Sequence, residues 1–351
     1  MPGAPNKLML KEIRQQPVAL ERTLRHQARG IAGFRAFLEK RRPRLVVIAA
    51  RGTSDNAAQF GRYLIEIMTG IPVSLAAPSV HSIYGARVDY SGALVVGISQ
   101  SGESTDIGAV LEQARRSGAM TVGISTEPKS TLASQAEHVL LVRAGPEKSV
   151  AATKTYTGQL MSIYLLAHAL GAPVPLAELE AIPEAAQAAL RLEPEIEALA
   201  GEYREMRHAA VVARGLNYAN AFEFALKLME TSYVVAERFS AADFLHGPIA
   251  IVDRDMPIFV FGPAGAAWAS LRETLEKVRE RHAKAVIITD RRNREASRYA
   301  ARVIRIPALL RELYTPIPYI IPAQLFAAAL AGAKDLDADN PRGLRKVTTN
   351  L

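Results

Sequence analysis

The stretch that decides the fold is Leu45-Val46-Val47-Ile48-Ala49-Ala50-Arg51-Gly52 with the helical text that follows to Glu66, because the chain writes it twice. It recurs as Ala210-Val211-Val212-Ala213-Arg214-Gly215, again followed by a helical stretch, to Glu230. Outward from these, Ala93–Ile98 matches Met256–Phe261, Met120–Ile124 matches Ala285–Thr289, and His138–Val142 matches Arg302–Ile306. Self-similarity of this kind marks a repeated structural unit. Short continuous apolar runs alternating with amphipathic helices predict strands buried on both faces, hence parallel sheets covered by helices. The reading is α/β: two tandem, doubly wound parallel-sheet domains related by internal duplication, with a C-terminal tail. Its expected divisions are leading helices over 1–40, a first domain over 41–170 and a helical linker over 171–200. A second domain over 201–333 and a tail over 334–351 follow.

With 351 residues, 49% of them hydrophobic, the chain can bury two cores, which excludes the disordered and fibrous classes. It has no cysteine, so disulfide frameworks, thiolate metal sites and cysteine nucleophiles are out, and a reducing, cytoplasmic setting is expected. Met1 to Lys11 lacks the apolar core and cleavage site of a secretory signal. Two uncharged stretches, Thr155–Ala177 and Thr315–Ala333, raise the membrane question. Their prolines, with Gln159 and His168 in the first, point to buried helices, so no membrane association is expected. The net charge of +8 comes from 43 basic residues scattered among 35 acidic ones, without a helix-turn-helix or finger pattern. That argues for a basic surface that attracts anionic substrates and against a nucleic-acid partner. No metal-ligand spacing appears, and neither a metal nor a cofactor is expected.

In open α/β sheets, ligands sit beyond the carboxyl ends of the strands. There the chain reads Ser99-Gln100-Ser101-Gly102-Glu103-Ser104, and a helix follows. Hydroxyls and backbone N–H groups at a helix start, with glycine allowing close approach, form an anion site. Serines that merely cap the helix produce the same text. The repeat counterpart, Gly262-Pro263-Ala264-Gly265-Ala266-Ala267, has no hydroxyl, which assigns any phosphate to the first half alone. Thr53, Ser54 and Asn56 stand after the first strand as caps or as a second ligand wall. In the second half, Glu223, Lys227 and Glu230 share a helix face at i, i+4 and i+7, as either a surface ion-pair ladder or an acid/base cluster. Glu237 follows, and then the loop His246-Gly247-Pro248.

Taken together, Ser99–Ser104, Glu147-Lys148-Ser149-Val150-Ala151-Ala152-Thr153-Lys154, Glu223–Glu230, His246-Gly247-Pro248 and Asp339-Asn340-Pro341-Arg342 resemble the sugar isomerase (SIS) family. More closely, from about Met9 to Lys346, they resemble the isomerase half of the glutamine:fructose-6-phosphate amidotransferases. The resemblance implies that Ser99, Gln100, Ser101 and Ser104 hold a sugar phosphate, with Thr53 and Ser54 nearby and Val150 and Ala152 on the substrate wall. It implies that Glu230 moves a proton between C1 and C2, that His246 opens the sugar ring, and that Lys227 lies near the sugar hydroxyls. Lys346 matches the lysine that forms a Schiff base with the ketose. Two subunits share each site in that family, the histidine coming from the neighbour, so a homodimer with shared active sites is expected.

The sequence departs from that family in three ways. The module starts almost at Met1, whereas the synthases place a glutaminase domain with a cysteine nucleophile ahead of it. Ala152 stands where they usually carry serine, and the end Thr348-Thr349-Asn350-Leu351 differs from theirs. The expected reaction is therefore interconversion of glucosamine-6-phosphate with fructose-6-phosphate and ammonia, without glutamine hydrolysis. Hydrolysis of a fructosamine-6-phosphate-type adduct and plain aldose–ketose isomerisation are the enzymatic alternatives. A catalytically silent module that senses sugar phosphates is the alternative of another class.

Overall fold

The computed structural model describes residues 7–346. Ten strands are present: β1 (Leu45–Ala49), β2 (Val73–Leu75), β3 (Ala93–Ile98), β4 (Met120–Ser125), β5 (His138–Leu141), β6 (His208–Ala213), β7 (Val235–Ser240), β8 (Ile258–Phe261), β9 (Ala285–Asp290) and β10 (Arg302–Ile306). They form two five-stranded sheets in the orders β2-β1-β3-β4-β5 and β7-β6-β8-β9-β10. Every pairing is parallel. The duplication extends to register: Ala49 lies opposite Gly97, and its repeat counterpart Val212 lies opposite Val260. The central strands are apolar on both faces, β3 and β4 being buried at every position, as parallel sheets with helices on both sides require.

Each half thus has five strands, one more than the repeated apolar runs disclose. The additional strands, β2 and β7, are the two that pair only with the first strand of their half. β2 has three residues, too few for a periodic signal. β7 reads Val-Ala-Glu-Arg-Phe-Ser and exposes both Glu237 and Arg238. An edge strand has one free side, and charges there oppose pairing with other chains, so its text does not look like a buried strand.

The chain divides into two compact units. One comprises Val18–Glu147 and Lys154–Ala181, around the first sheet; the other comprises the described residues up to Pro17, Lys148–Thr153 and Ile182–Lys346, around the second. The first unit buries the helix Lys154–Ala169 at every position except His168. In the second, the helix Pro316–Ala333 is long and apolar enough to cross a bilayer, yet 83% of it is buried within the protein. A helix that is apolar all round satisfies itself in a core as well as in lipid, and here it is a core helix.

In both sheets the strand order reverses beside the first strand, between β1 and β3 and between β6 and β8. Loops at the carboxyl ends of such a pair flank a crevice, the place where α/β sheets bind ligands.

Candidate active site

The loop after β3 is built to present donors. Gly102 has φ +70°, and a Cβ there would stand 2.1 Å from Ser130 Oγ, so only glycine permits the turn. The Gln100 carbonyl accepts from Ser125 Oγ (3.1 Å) and Thr126 Oγ1 (2.8 Å), which pins the loop to the end of β4. Its amide donates to Glu147 Oε2 at 3.1 Å. Ser99 Oγ accepts from the Gly102 N–H at 3.1 Å and lies 3.2 Å from Ser104 Oγ. Ser104 occupies the N-cap position of the helix Thr105–Arg116, but its side chain makes no cap hydrogen bond. Ser130, at the same position of the helix Thr131–Gln135, does accept from Ala133 N–H. The capping account therefore fails for the Ser104 hydroxyl. The acid of the loop, Glu103, is turned onto Thr131, whose N–H and hydroxyl hold its carboxyl below the ordinary range.

The loop after β1 joins this one. Arg51 donates to Asp106 in the first turn of Thr105–Arg116, with Nη2 to Oδ2 at 2.5 Å and Nε to Oδ2 at 3.2 Å. Ser54 is buried and accepts from Gln159 Nε2 at 2.9 Å, while Thr53 is half-buried at the start of its helix. Thr53, Ser54, Ser99, Gln100, Ser101 and Ser104 thus all lie on the two loops that flank the strand-order reversal.

The counterpart loop after β8 is filled from within. The N–H groups of Ala266 and Ala267, just before the helix Trp268–Glu280, donate to the carboxylate of Glu312. A Cβ on Gly265 would fall 2.0 Å from Glu312 Oε2. The chain's own carboxylate takes the place an anion would occupy, and burial raises its pKa despite those hydrogen bonds. This gives the asymmetry between the repeats a physical basis beyond the missing hydroxyls.

On the helix Tyr218–Ser232, Lys227 Nζ lies 2.5 Å from Glu230 Oε2 and 3.5 Å from Glu223 Oε1. The side chains of Lys227 and Glu223 are 1% and 0% exposed, and that of Glu230 is 23% exposed. A surface ladder is excluded by that burial. The lysine is sequestered between two carboxylates, and Glu230 is the member open to a substrate. Glu237 lies apart on β7, exposed, beside Arg238.

The tail is fastened at three points within the second-sheet unit. Asp339 accepts from the N–H groups of Leu8 and Met9, at 2.9 and 2.8 Å. Arg342 N–H donates to Tyr233 Oη at 2.8 Å, and its guanidinium lies 4.2 Å from that ring's centre. Tyr233 caps the helix that carries Lys227 and Glu230. Lys346 Nζ donates to the Ser149 carbonyl at 2.6 Å. Ser149 belongs to the strap 148–153, which contains Val150 and Ala152, both half-buried. The same strap is held by buried Glu12, which accepts from Lys148 N–H (2.5 Å) and Ser149 N–H (3.1 Å). Leading helix, strap and tail close a ring of hydrogen bonds around Lys346.

The structure brings together Lys227 with Glu230, and Lys346 with the strap of Val150 and Ala152. His246 is not brought into contact with them. It ends the helix Ala241–Leu245, is exposed, and its ring makes no hydrogen bond among the described residues. The divergent end Thr348–Leu351 lies outside the described residues. Sequence reasoning missed Arg51, Asp106, Glu12 and Glu312. Arg51 alone had a signal, as a charged residue immediately after an apolar strand. Among the described residues no cluster of acidic or histidine side chains is arranged to hold a metal.

This is the architecture of a sugar-isomerase-type protein, and the chain belongs to the SIS domain family, whose model matches residues 38–169 and 202–333. The glutamine–fructose-6-phosphate aminotransferase (isomerizing) of Methanothermobacter thermautotrophicus is 34% identical over 347 residues, covering 99% of this chain and 58% of that protein. The chain therefore spans about 58% of the length of the curated relatives it matches. The C-terminal domain of glucosamine-fructose-6-phosphate aminotransferase from Francisella tularensis superposes with a TM-score of 0.84 at 28% identity, over 95% of this chain and 98% of that domain. A protein from Silicibacter pomeroyi DSS-3, solved as a candidate phosphosugar isomerase, is 33% identical with a TM-score of 0.83. The match covers 94% of this chain and 99% of that one.

Proposed function

We propose that this protein is a glucosamine-6-phosphate deaminase/isomerase acting in the cytoplasm as a homodimer, with ammonia rather than glutamine as the nitrogen species. The observation that carries this reading is the buried Lys227 held at 2.5 Å from Glu230, the one carboxylate of its cluster that opens to solvent. The loop Ser99–Ser104 holds the phosphate, far from the reacting carbons, and turns binding energy into orientation. His246 transfers the proton from the anomeric hydroxyl to the ring oxygen, opening the ring. Glu230 takes the C2 proton, giving an enaminol, and returns it to C1, giving a C2 iminium. Lys346 displaces ammonia from that carbon as a Schiff base, and water hydrolyses the Schiff base to the ketose. The balance is one water consumed and one ammonia released. Lys227 keeps the Glu230 carboxylate placed and reaches the sugar hydroxyls. The chain has no cysteine to form a thioester with glutamine, which supports ammonia as the nitrogen species.

The test is incubation with glucosamine-6-phosphate while ammonia and fructose-6-phosphate are followed. Glu230→Gln keeps shape but loses basicity, so turnover should fall at least about 100-fold, with exchange of the C2 proton in deuterated water stopping too. Sugar-phosphate interconversion without ammonia would make the protein a plain isomerase. Release of an amine from a fructosamine-6-phosphate adduct would make it a deglycase, and binding without turnover a sensor.

A further inference from the structure

A cavity of about 560 Å³ in the first-sheet unit lies outside the loops described above, lined by Arg22, Arg25, His26, Arg29 and Arg143 together with Thr126 and Glu127. Arg22, Arg25 and His26 stand at i, i+3 and i+4 of the helix Gln16–Ala28, and Arg29 follows its last turn. Like charges at these spacings repel one another along a helix face. Carboxylates could offset that, but here they do not. Arg25 alone has an ion pair, to Glu21 at 2.6 Å, and Arg22, Arg29 and Arg143 have none among the described residues. Glu127 is the only acid on the lining. His26 is held below its ordinary pKa by burial and by the neighbouring charges of Arg143 and Arg29, an independent sign of positive potential in the cavity.

We propose that this cavity is a second anion site, distinct from the loop Ser99–Ser104, for a small molecule bearing two linked phosphate groups. The volume suits a metabolite, and three unpaired guanidinium groups match the charge and oxygen count of a diphosphate better than those of a single phosphate. The cavity wall also has a physical route to the first loop, since Thr126 donates both its N–H (3.2 Å) and its hydroxyl (2.8 Å) to the Gln100 carbonyl.

The test is calorimetric titration of the full chain with inorganic pyrophosphate at low salt, in wild type, in Arg29→Gln/Arg143→Gln and in Ser101→Ala/Ser104→Ala. Both arginines are exposed, and an unchanged melting curve controls for folding. The expected result is saturable binding that weakens at least about tenfold in the arginine variant and is unchanged in the serine variant. Absence of saturable binding, equal binding in the arginine variant, or loss of all binding in the serine variant would overturn the proposal. Tighter binding of a duplex oligonucleotide than of pyrophosphate through the same arginines would also overturn it, in favour of a nucleic-acid face.

Discussion

At the scale of single residues, Glu312 and Gly265 show how a duplicated loop loses its ligand and keeps its geometry. Two backbone N–H groups at a helix start need an acceptor, and a tethered carboxylate supplies it at no translational cost. The tethered carboxylate leaves no room for a side chain at 265, where a Cβ would meet Glu312 Oε2 at 2.0 Å and Glu312 Cβ at 2.9 Å. Gly265→Ala should therefore cost about 1–3 kcal/mol, the usual range for overpacking. Most of that cost should vanish in a Glu312→Ala background, so a double-mutant cycle should return a coupling of about 1 kcal/mol or more. Additive effects would mean that the carboxylate moves aside freely. The pH dependence has a definite sign. Burial raises the folded pKa of Glu312 above its unfolded value, so the folded state binds the proton more tightly. Its contribution to stability is fully present below the unfolded value and is lost as pH rises through the folded one. The stability of wild type relative to Glu312→Gln should accordingly decline with pH across that window, as read by urea unfolding at a series of pH values. A flat or rising difference would contradict it.

At the scale of elements, the ring formed by leading helix, strap and tail depends on one buried carboxylate. Glu12 accepts from two adjacent backbone N–H groups of a segment outside regular secondary structure. Glu12→Ala leaves both donors stranded, at about 1.5–3 kcal/mol for each hydrogen bond to a charged group. Glu12→Gln retains one acceptor oxygen and should recover part of the loss. Trp268 is the only tryptophan and belongs to the unit that contains the ring, so its fluorescence in urea reports the effect directly. Unfolding of Glu12→Ala indistinguishable from wild type would remove the ring from the account. This ring also marks the limit of what the sequence discloses. The apolar runs give the central strands of both sheets, because a buried parallel strand has a purely local signature. β2 and β7 escape it, one through shortness and the other through edge charges. The spacing of Glu223, Lys227 and Glu230 is legible as one helix face, but the burial that separates a surface ladder from a sequestered lysine is a tertiary property. Glu12 is illegible for the same reason, its partners lying more than 130 residues away. Glu312 looks like any acid in a loop until the fold carries it to Ala266 and Ala267.

At the scale of the whole molecule, the decisive question is which subunit supplies the ring-opening group. His246 is exposed, and its ring has no hydrogen-bond partner among the described residues, whereas Lys227 and Lys346 are each held at 2.5 to 2.6 Å by groups of their own unit. A catalytic imidazole left without a partner within its own chain fits a site completed by a second copy, as the proposed function requires. Two-fold symmetry then fixes the arithmetic. Glu230→Gln and His246→Ala homodimers should each be inactive, having two damaged sites apiece. In a mixed dimer one site carries both substitutions, and the other pairs an intact Glu230 with an intact His246. After denaturation and refolding of an equal mixture, half the dimers are mixed and half their sites are whole, so about a quarter of wild-type turnover should return. Mixing folded homodimers should restore it only as fast as subunits exchange. Failure of the refolded mixture to regain activity, with wild type refolding normally beside it, would place Glu230 and His246 of one chain in the same site. A fully active monomer in sedimentation would do so independently.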